Sequence, residues 1–319
     1  MTTSLLCASH SPLLFCYAKP PAELDQLNQV FAERAEAIKS FDPELVLAFG
    51  SDHYNGFFLK TMPAFCVGLK AQTENDIGGF SGDLNVPADI ALQCIEHLRN
   101  HDVDPAVSYE MLVDHAFSQT IQLALGGLDK FPVIPVFISC LSAPFVPFRR
   151  SRKLGEAIGE FISSFDKRVL LLASGGMSHH PARYYPGHGE GEEDVERWKL
   201  SGDTDSQSMS RTDWLTRLHD MHHEGAEMIA RGLRTAKDMR LNAESDRRFL
   251  DILCNNNLEE FDDWNLDVLV EEAGIGSLEL HTWIAAVAAH RAAGGDMPTE
   301  GIYTLAPEIG IAAGIVHAD

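Results

Sequence analysis

The chain has 319 residues, 47 of them acidic against 25 basic, for a formal net charge of −22, and 45% of its residues are hydrophobic. That apolar share is ample for a packed core and argues against bulk disorder. A surface so acidic repels phosphate backbones, which argues against nucleic-acid binding, and no apolar run reaches the ~20 residues that a membrane span needs. The six cysteines, at positions 7, 16, 66, 94, 140 and 254, form no CxxC pair and mostly fall in apolar runs, as reduced core cysteines of a cytoplasmic protein do.

The opening stretch, MTTSLLCASHSPLL, has no basic segment before its apolar residues, so it reads as a first core strand (4–9) and not as a signal peptide. A helix follows: Leu24, Leu27, Phe31, Ala35 and Ile38 recur at spacings of three and four, with Pro20-Pro21 before them and Asp42-Pro43 after. Apolar runs at 45–50, 133–140 and 169–173 read as buried strands, and 89–98 and 153–161 as helices. From 184 to 212 the chain is rich in Gly, Asp, Glu and Ser, which suggests a long exposed loop, a lid over a site. Residues 213–236 read as a helix, more helices follow to about Ala293, and 301–317 looks like a returning strand pair. Strands alternating with helices give an α/β fold: one domain over 1–319, with a mainly parallel central sheet flanked by helices and a helical second half.

Three histidines share a context. His10 ends the first strand in Ala-Ser-His10-Ser-Pro, His53 follows the second in Gly-Ser-Asp52-His53-Tyr-Asn, and His179 follows another in Ser-Gly175-Gly176-Met-Ser-His179. Open α/β sheets bind ligands beyond the carboxyl ends of their strands, so three such histidines can converge. His115, in Val-Asp114-His115-Ala, precedes a helix. Neutral imidazoles bind Fe(II), Zn(II) and similar ions, and a bound imidazole usually donates its second N–H to a carboxylate or carbonyl. Asp52 and Asp114, each beside a histidine, are candidates for that support. The paired glycines before His179 allow a tight turn or a close backbone approach. Of the other histidines, His222-His223 reads as a solvated face in an acidic helix, His97 and His101 as helix-end residues, and His188 as exposed. No HExxH spacing occurs.

The strings Ala-Ser-His10-Ser-Pro, Asp52-His53-Tyr-Asn-Gly-Phe-Phe, Val-Asp114-His115 and Gly-Gly-Met-Ser-His179 resemble the class III extradiol dioxygenases. The likeness also takes in Phe-Asp-Pro-Glu-Leu-Val, Gly-Gly-Leu-Asp-Lys and Lys-Leu-Gly-Glu-Ala-Ile-Gly, in order from the first strand to near Ala293. The resemblance implies Fe(II) held by His10, His53 and a late glutamate, which by the match Gly276-Ser-Leu-Glu279-Leu-His-Thr-Trp283 is Glu279; on composition alone Glu271 and Glu272 are its equals. It implies that His179 accepts a proton from the substrate and that His115 donates one as the O–O bond breaks, with Asp114 supporting the charged form of His115. It implies dioxygen and a catechol as substrates, the catechol bearing a propionate or propenoate chain. A cytoplasmic homo-oligomer is expected. The chain's carboxylate needs a cation or several donors, for which Arg183, Arg247 and Arg248 are candidates. Ala116 stands where the family often has Gly. Two other readings stay open: a zinc enzyme of related fold, and a non-catalytic binding protein of the same fold.

Overall fold

The computed structural model describes residues 2–181, 184–255 and 257–319, so Arg183 lies outside the described residues. An eight-stranded sheet forms its centre. In chain order the strands are β1 (Thr2–Ala8), β2 (Leu45–Gly50), β3 (Phe65–Gly68), β4 (Ala71–Thr73), β5 (Gly82–Asp83), β6 (Ala106–Ser108), β7 (Met111–Val113), β8 (Val133–Ile138), β9 (Arg168–Ser174), β10 (Thr299–Ala306) and β11 (Ile311–Ala318). The large sheet runs β10-β11-β1-β9-β2-β8-β3-β6, while β5-β4-β7 form a small second sheet. The middle four strands, β1-β9-β2-β8, are parallel to one another. β11 pairs antiparallel with β1 and with β10, as the apolar, glycine-containing terminal run suggested. The short strands β3 to β7 and the small sheet they supply were not anticipated from the sequence.

The middle strands are apolar at every position because both sheet faces are covered. Successive side chains alternate between the faces. Leu5, Cys7, Leu45, Leu47, Phe49, Leu171 and Ala173 point to one side, and Leu6, Ala8, Val46, Ala48, Leu170 and Leu172 to the other. The helices are α1 (Leu24–Phe41), α2 (Ala88–Asn100), α3 (His115–Leu125), α4 (Phe148–Ser163), α5 (Glu193–Ser201), α6 (Arg211–Ala230), α7 (Ala243–Cys254), α8 (Leu266–Ala273) and α9 (Leu280–Ala292). The first face packs on α4 and α9, the second on α1 and α3. Helix α9 is buried from Leu280 to His290, and α4 lies against it. Gly155 and Gly159, four apart on α4, face the carbonyl oxygens of Ala285 and Ala289 so closely that a Cβ at either glycine would overlap backbone. The Lys-Leu-Gly-Glu-Ala-Ile-Gly string is thus a close helix–helix contact. Among the described residues no helix is long and apolar enough to cross a membrane, and all six cysteines are free thiols.

Residues 184–212 depart from the expected exposed loop. Helix α5 occupies Glu193–Ser201, with Val195, Trp198 and Lys199 buried at a spacing of three and one. Trp198 donates its indole N–H to the Tyr54 carbonyl at 2.8 Å and stacks on Trp214. The buried Lys199 ammonium donates to the Pro186 carbonyl at 2.6 Å and pairs with Glu196 at 3.1 Å. The abundance of polar residues hid this helical period, because one buried indole and one satisfied lysine anchor the segment. His222 departs as well. It is buried on α6, donates Nδ1–H to the Leu218 carbonyl at 2.6 Å and stacks on Tyr184, whereas its neighbour His223 is exposed.

Candidate active site

The strand order explains why the histidines meet. β1, β9 and β2 are adjacent parallel neighbours, and His10, His179 and His53 each follow the carboxyl end of one of them. His115 opens α3, where Asp114 is the N-cap and accepts from the Ala116 amide. Glu279 ends a short 3-10 turn (Ile275–Glu279) that leads into α9 and is fully buried. Three bonds tie this end of α9 to the end of β9 and the glycine pair. Thr282 Oγ1 donates to the Ser174 carbonyl at 3.0 Å, Trp283 Nε1 to the Gly175 carbonyl at 3.0 Å, and the Gly176 amide to Glu279 Oε2 at 3.1 Å. Gly175, at φ 140°, lets the backbone pass against the Glu279 Cβ, which a side chain would block.

One carboxylate oxygen is the focus. Glu279 Oε1 lies 3.3 Å from His10 Nε2 and 3.6 Å from His53 Nε2, and it accepts from the Ser51 hydroxyl. Its other oxygen lies 3.8 Å from His179 Nε2. In every one of these rings Nδ1 is occupied from behind. His10 Nδ1 meets Ser174 Oγ at 3.0 Å, His53 Nδ1 meets Asp114 Oδ2 at 3.1 Å, His179 Nδ1 donates to the Met177 carbonyl at 2.9 Å, and His115 Nδ1 meets Asp76 Oδ2 at 2.5 Å. Each imidazole therefore presents Nε2 forward. Among the described residues the buried Nε2 atoms of His10 and His115 have no hydrogen-bond partner, which is costly unless something is bound there.

These donors fit a metal ion. The ligand atoms of His10, His53 and His115 lie within 4.8 Å of one another, so two triads share His10 and His53, one closed by Glu279 and the other by His115. Ring geometry separates them. The His53 and His115 rings are stacked, 4.3 Å apart and 21° from parallel. Imidazole lone pairs lie in the ring plane, so two near-parallel rings do not aim at one ion. His10 and His53 stand at 82°, and the Nε2 atoms of both approach the same Glu279 oxygen. Two imidazoles and a carboxylate leave positions open for substrate.

The electrostatics agree. Burial pushes the Glu279 carboxyl up, but His10, His53 and His179 outweigh it and hold the group well below the ordinary carboxylate range, so it is ionised. Burial lowers His179, and lowers His115 to about 4, so both are neutral at neutral pH. Asp114 is also held low against its burial, by His53 and His115. Burial, with Asp114 nearby, raises Asp76 well above its usual range, which favours a protonated carboxyl donating to His115 Nδ1 at 2.5 Å.

Asp114 hydrogen-bonds His53 and not His115. Its Oδ2 takes the His53 amide at 2.7 Å, His53 Nδ1 and Asn55 Nδ2, while its charge favours the protonated form of His115. Adjacent side chains point apart, and the carboxylate for His115 comes from Asp76, which sequence reasoning missed. Asp52 serves no histidine, since its oxygens cap the turn amides of Asn55, Gly56 and Phe57. His281 faces away from Glu279, as its position two residues on implied, and meets Ser151 at 2.8 Å. His97 and His101 stack at the end of α2 beside Glu160, near the surface, and His188 is exposed. Arg247 pairs with Glu300 and Arg248 covers Trp264; neither lines the histidine cleft.

The cleft over Glu279 is lined by His10, His53, His179, Tyr185, His222 and Arg234 among others. Its free volume is about 30 Å³, room for roughly one water molecule. Tyr184 and Tyr185 both line it. Among the described residues the buried Tyr185 hydroxyl has no hydrogen-bond partner, and its ring lies 5.1 Å from that of His53. Tyr185, His222 and Arg234 were not singled out as site residues from the sequence. For His222 a signal existed, because Trp214, Leu218, His222 and Ala226 recur every four residues on the buried face of α6.

Comparison with known proteins places this arrangement. Residues 4–312 match the family described as the catalytic LigB subunit of aromatic ring-opening dioxygenase. Among similar proteins, a 2,3-dihydroxyphenylpropionate/2,3-dihydroxicinnamic acid 1,2-dioxygenase from Rhodococcus rhodochrous is 40% identical over 92% of this chain and 90% of its own. A namesake from Klebsiella pneumoniae subsp. pneumoniae is 39% identical over 92% and 91%, and a second from Pseudomonas putida is 38% identical over 97% and 96%. A solved structure of an uncharacterized protein from Escherichia coli K12 aligns over 99% of both chains at a TM-score of 0.47 and 10% identity, too distant to add to the assignment. On a match spanning nearly its whole length, the chain belongs to the LigB family of metal-dependent, ring-opening class III extradiol dioxygenases.

Proposed function

We propose that the protein uses Fe(II), held by His10, His53 and Glu279, to open the ring of 2,3-dihydroxyphenylpropionate or its propenoate analogue with dioxygen. The observation that carries the ligand set is the approach of His10 Nε2 and His53 Nε2 to one oxygen of an ionised, fully buried glutamate. Fe(II) in a site of two histidines and one carboxylate supplies open positions for a chelating catechol and for dioxygen. The remaining chemistry belongs to the side chains. His179 donates Nδ1–H to the Met177 carbonyl, a tautomer that leaves the Nε2 lone pair facing the cleft. That nitrogen accepts a hydroxyl proton from the catechol. His115 is braced by Asp76: with the Asp76 carboxyl protonated and donating to Nδ1, Nε2 carries the imidazole's own proton and would give it up as the ring opens, the Asp76 proton passing to Nδ1. Asp114 and Ser174 fix the ring planes of His53 and His10. Tyr184 and Tyr185 close over the bound ring and exclude water.

The bond between the side-chain-bearing carbon and the adjacent hydroxylated carbon is the one that breaks. Both atoms of dioxygen enter the product, a 2-hydroxy-6-oxo-nonadienedioate. The test is anaerobic loading with Fe(II), then addition of 2,3-dihydroxyphenylpropionate and ¹⁸O₂. A yellow ring-opened product carrying two labelled atoms is expected. Activity with Zn(II) in place of Fe(II), or cleavage between the two hydroxylated carbons, would overturn the proposal. The same reading carries a cytoplasmic homo-oligomer, which light scattering on the purified protein and cell fractionation check.

A further inference from the structure

A propionate chain brings a negative charge into this cleft, in a protein of net charge −22. Arg234 is the one lysine or arginine among the described residues that line this cleft. Its guanidinium is fixed by neutral acceptors, donating to the Tyr184 hydroxyl at 2.7 Å and to the His180 carbonyl at 3.3 Å, and it lies over the Tyr184 ring at 5.1 Å. No carboxylate among the described residues lies within ion-pair distance of it, whereas Arg152, Arg168, Arg211, Arg217, Arg247 and Arg291 each hold one. Asp238, the acid in the same turn, has an oxygen engaged by the Thr235 amide and hydroxyl, each at 2.8 Å. A guanidinium has five N–H donors in a planar fork suited to a carboxylate, and these contacts occupy two of its nitrogens once each.

We propose that Arg234 binds the side-chain carboxylate of the substrate and sets the preference for a charged over an uncharged catechol. This rests on the substrate class proposed above. Tyr184 links the two halves of the cleft, because its hydroxyl takes the Arg234 N–H and its ring stacks on His222. The roof over the catechol and the group that holds its tail are therefore one unit.

The test compares 2,3-dihydroxyphenylpropionate with 3-propylcatechol, which keeps the chain length and lacks the charge, on the Fe(II)-loaded enzyme. The readout is the ratio of their kcat/KM values. Arg234→Gln should lower that ratio by roughly 10- to 100-fold, the worth of a charge-assisted hydrogen bond, chiefly through KM for the propionate. Arg234→Lys should retain part of it, and Tyr184→Phe, which keeps the cation, should retain most. A purely structural role for Arg234 would lower both substrates alike and leave the ratio unchanged, which overturns the proposal. A wild-type enzyme that opens both catechols equally well overturns carboxylate recognition and leaves the ring-opening reading standing. A wild-type enzyme that opens neither removes the proposed function, and this inference with it.

Discussion

The position of His179 can be disturbed without touching the imidazole itself. A Cβ built on Gly276 falls well under 3.0 Å from Cε1, Nε2 and Nδ1 of the His179 ring. Ordinary contact between such atoms is about 3.5–4.0 Å, so in Gly276→Ala the ring must move by roughly 1 Å or more. Gly276 does not have a positive φ, so alanine is compatible with the backbone, and the three nearest atoms it meets all belong to that ring. A displacement of about 1 Å at a reacting group costs on the order of 10²-fold in rate, and overpacking costs about 1–3 kcal/mol of stability. Gly276→Ala should therefore lower kcat about 100-fold and lower Tm, while the Fe(II) stoichiometry stays at that of the wild type. The check is steady-state oxygen uptake, metal analysis and a thermal melt on one preparation. His179→Ala, which removes the base, should cost about 10²–10⁴-fold. Adding Gly276→Ala to it should cost nothing further, since the ring is already absent. Near-wild-type kcat in the single variant, or full additivity in the double, would refute the assigned role of His179.

The two buried aspartates should part company. Asp114→Asn, which loosens His53, should weaken Fe(II) affinity about 10- to 100-fold. Asp76→Asn, like His115→Ala, should lower kcat and leave iron affinity unchanged by equilibrium dialysis; iron loss in His115→Ala would make that histidine a ligand. Trp198→Ala should cost about 3–5 kcal/mol in a denaturant titration, whereas an exposed loop over 184–212 would lose almost nothing. Burial raises the Asp246 carboxyl to about 6, against hydrogen bonds from the Ser178 amide and hydroxyl and the Tyr303 hydroxyl. The folded state thus holds that proton more tightly than the unfolded chain, so its contribution is full below about pH 4 and is lost as pH rises through about 6, up to about 3 kcal/mol in all. Denaturation midpoints measured from pH 4 to 7 should fall more in the wild type than in Asp246→Asn, and parallel curves would contradict this.

The residues differ in how far they revealed this architecture. The middle strands were legible because burial on both faces makes them continuous apolar runs, and the histidines stood out because each follows such a run. Their convergence was not legible, since it depends on β1, β9 and β2 being neighbours, which local pattern does not encode. Glu279 carried no signal of its own, because a glutamate beside a helix is ordinarily solvated; only the likeness to a family singled it out. Asp76 sits in a polar turn 39 residues from the histidine it supports and looked like any other turn aspartate. His222 and residues 184–212 misled for a common reason, namely that acidic neighbours outnumbered the few large side chains that set the buried face.

The central claim is the ligand set, and the direct measurement is an anomalous difference map at the iron edge from crystals loaded with Fe(II) without oxygen. The account predicts one peak at about 2.0–2.2 Å from Nε2 of His10, Nε2 of His53 and a carboxylate oxygen of Glu279, with His115 and His179 beyond bonding distance. A peak bonded to His115 in place of Glu279, or one among His97, His101 and Glu160, would contradict it.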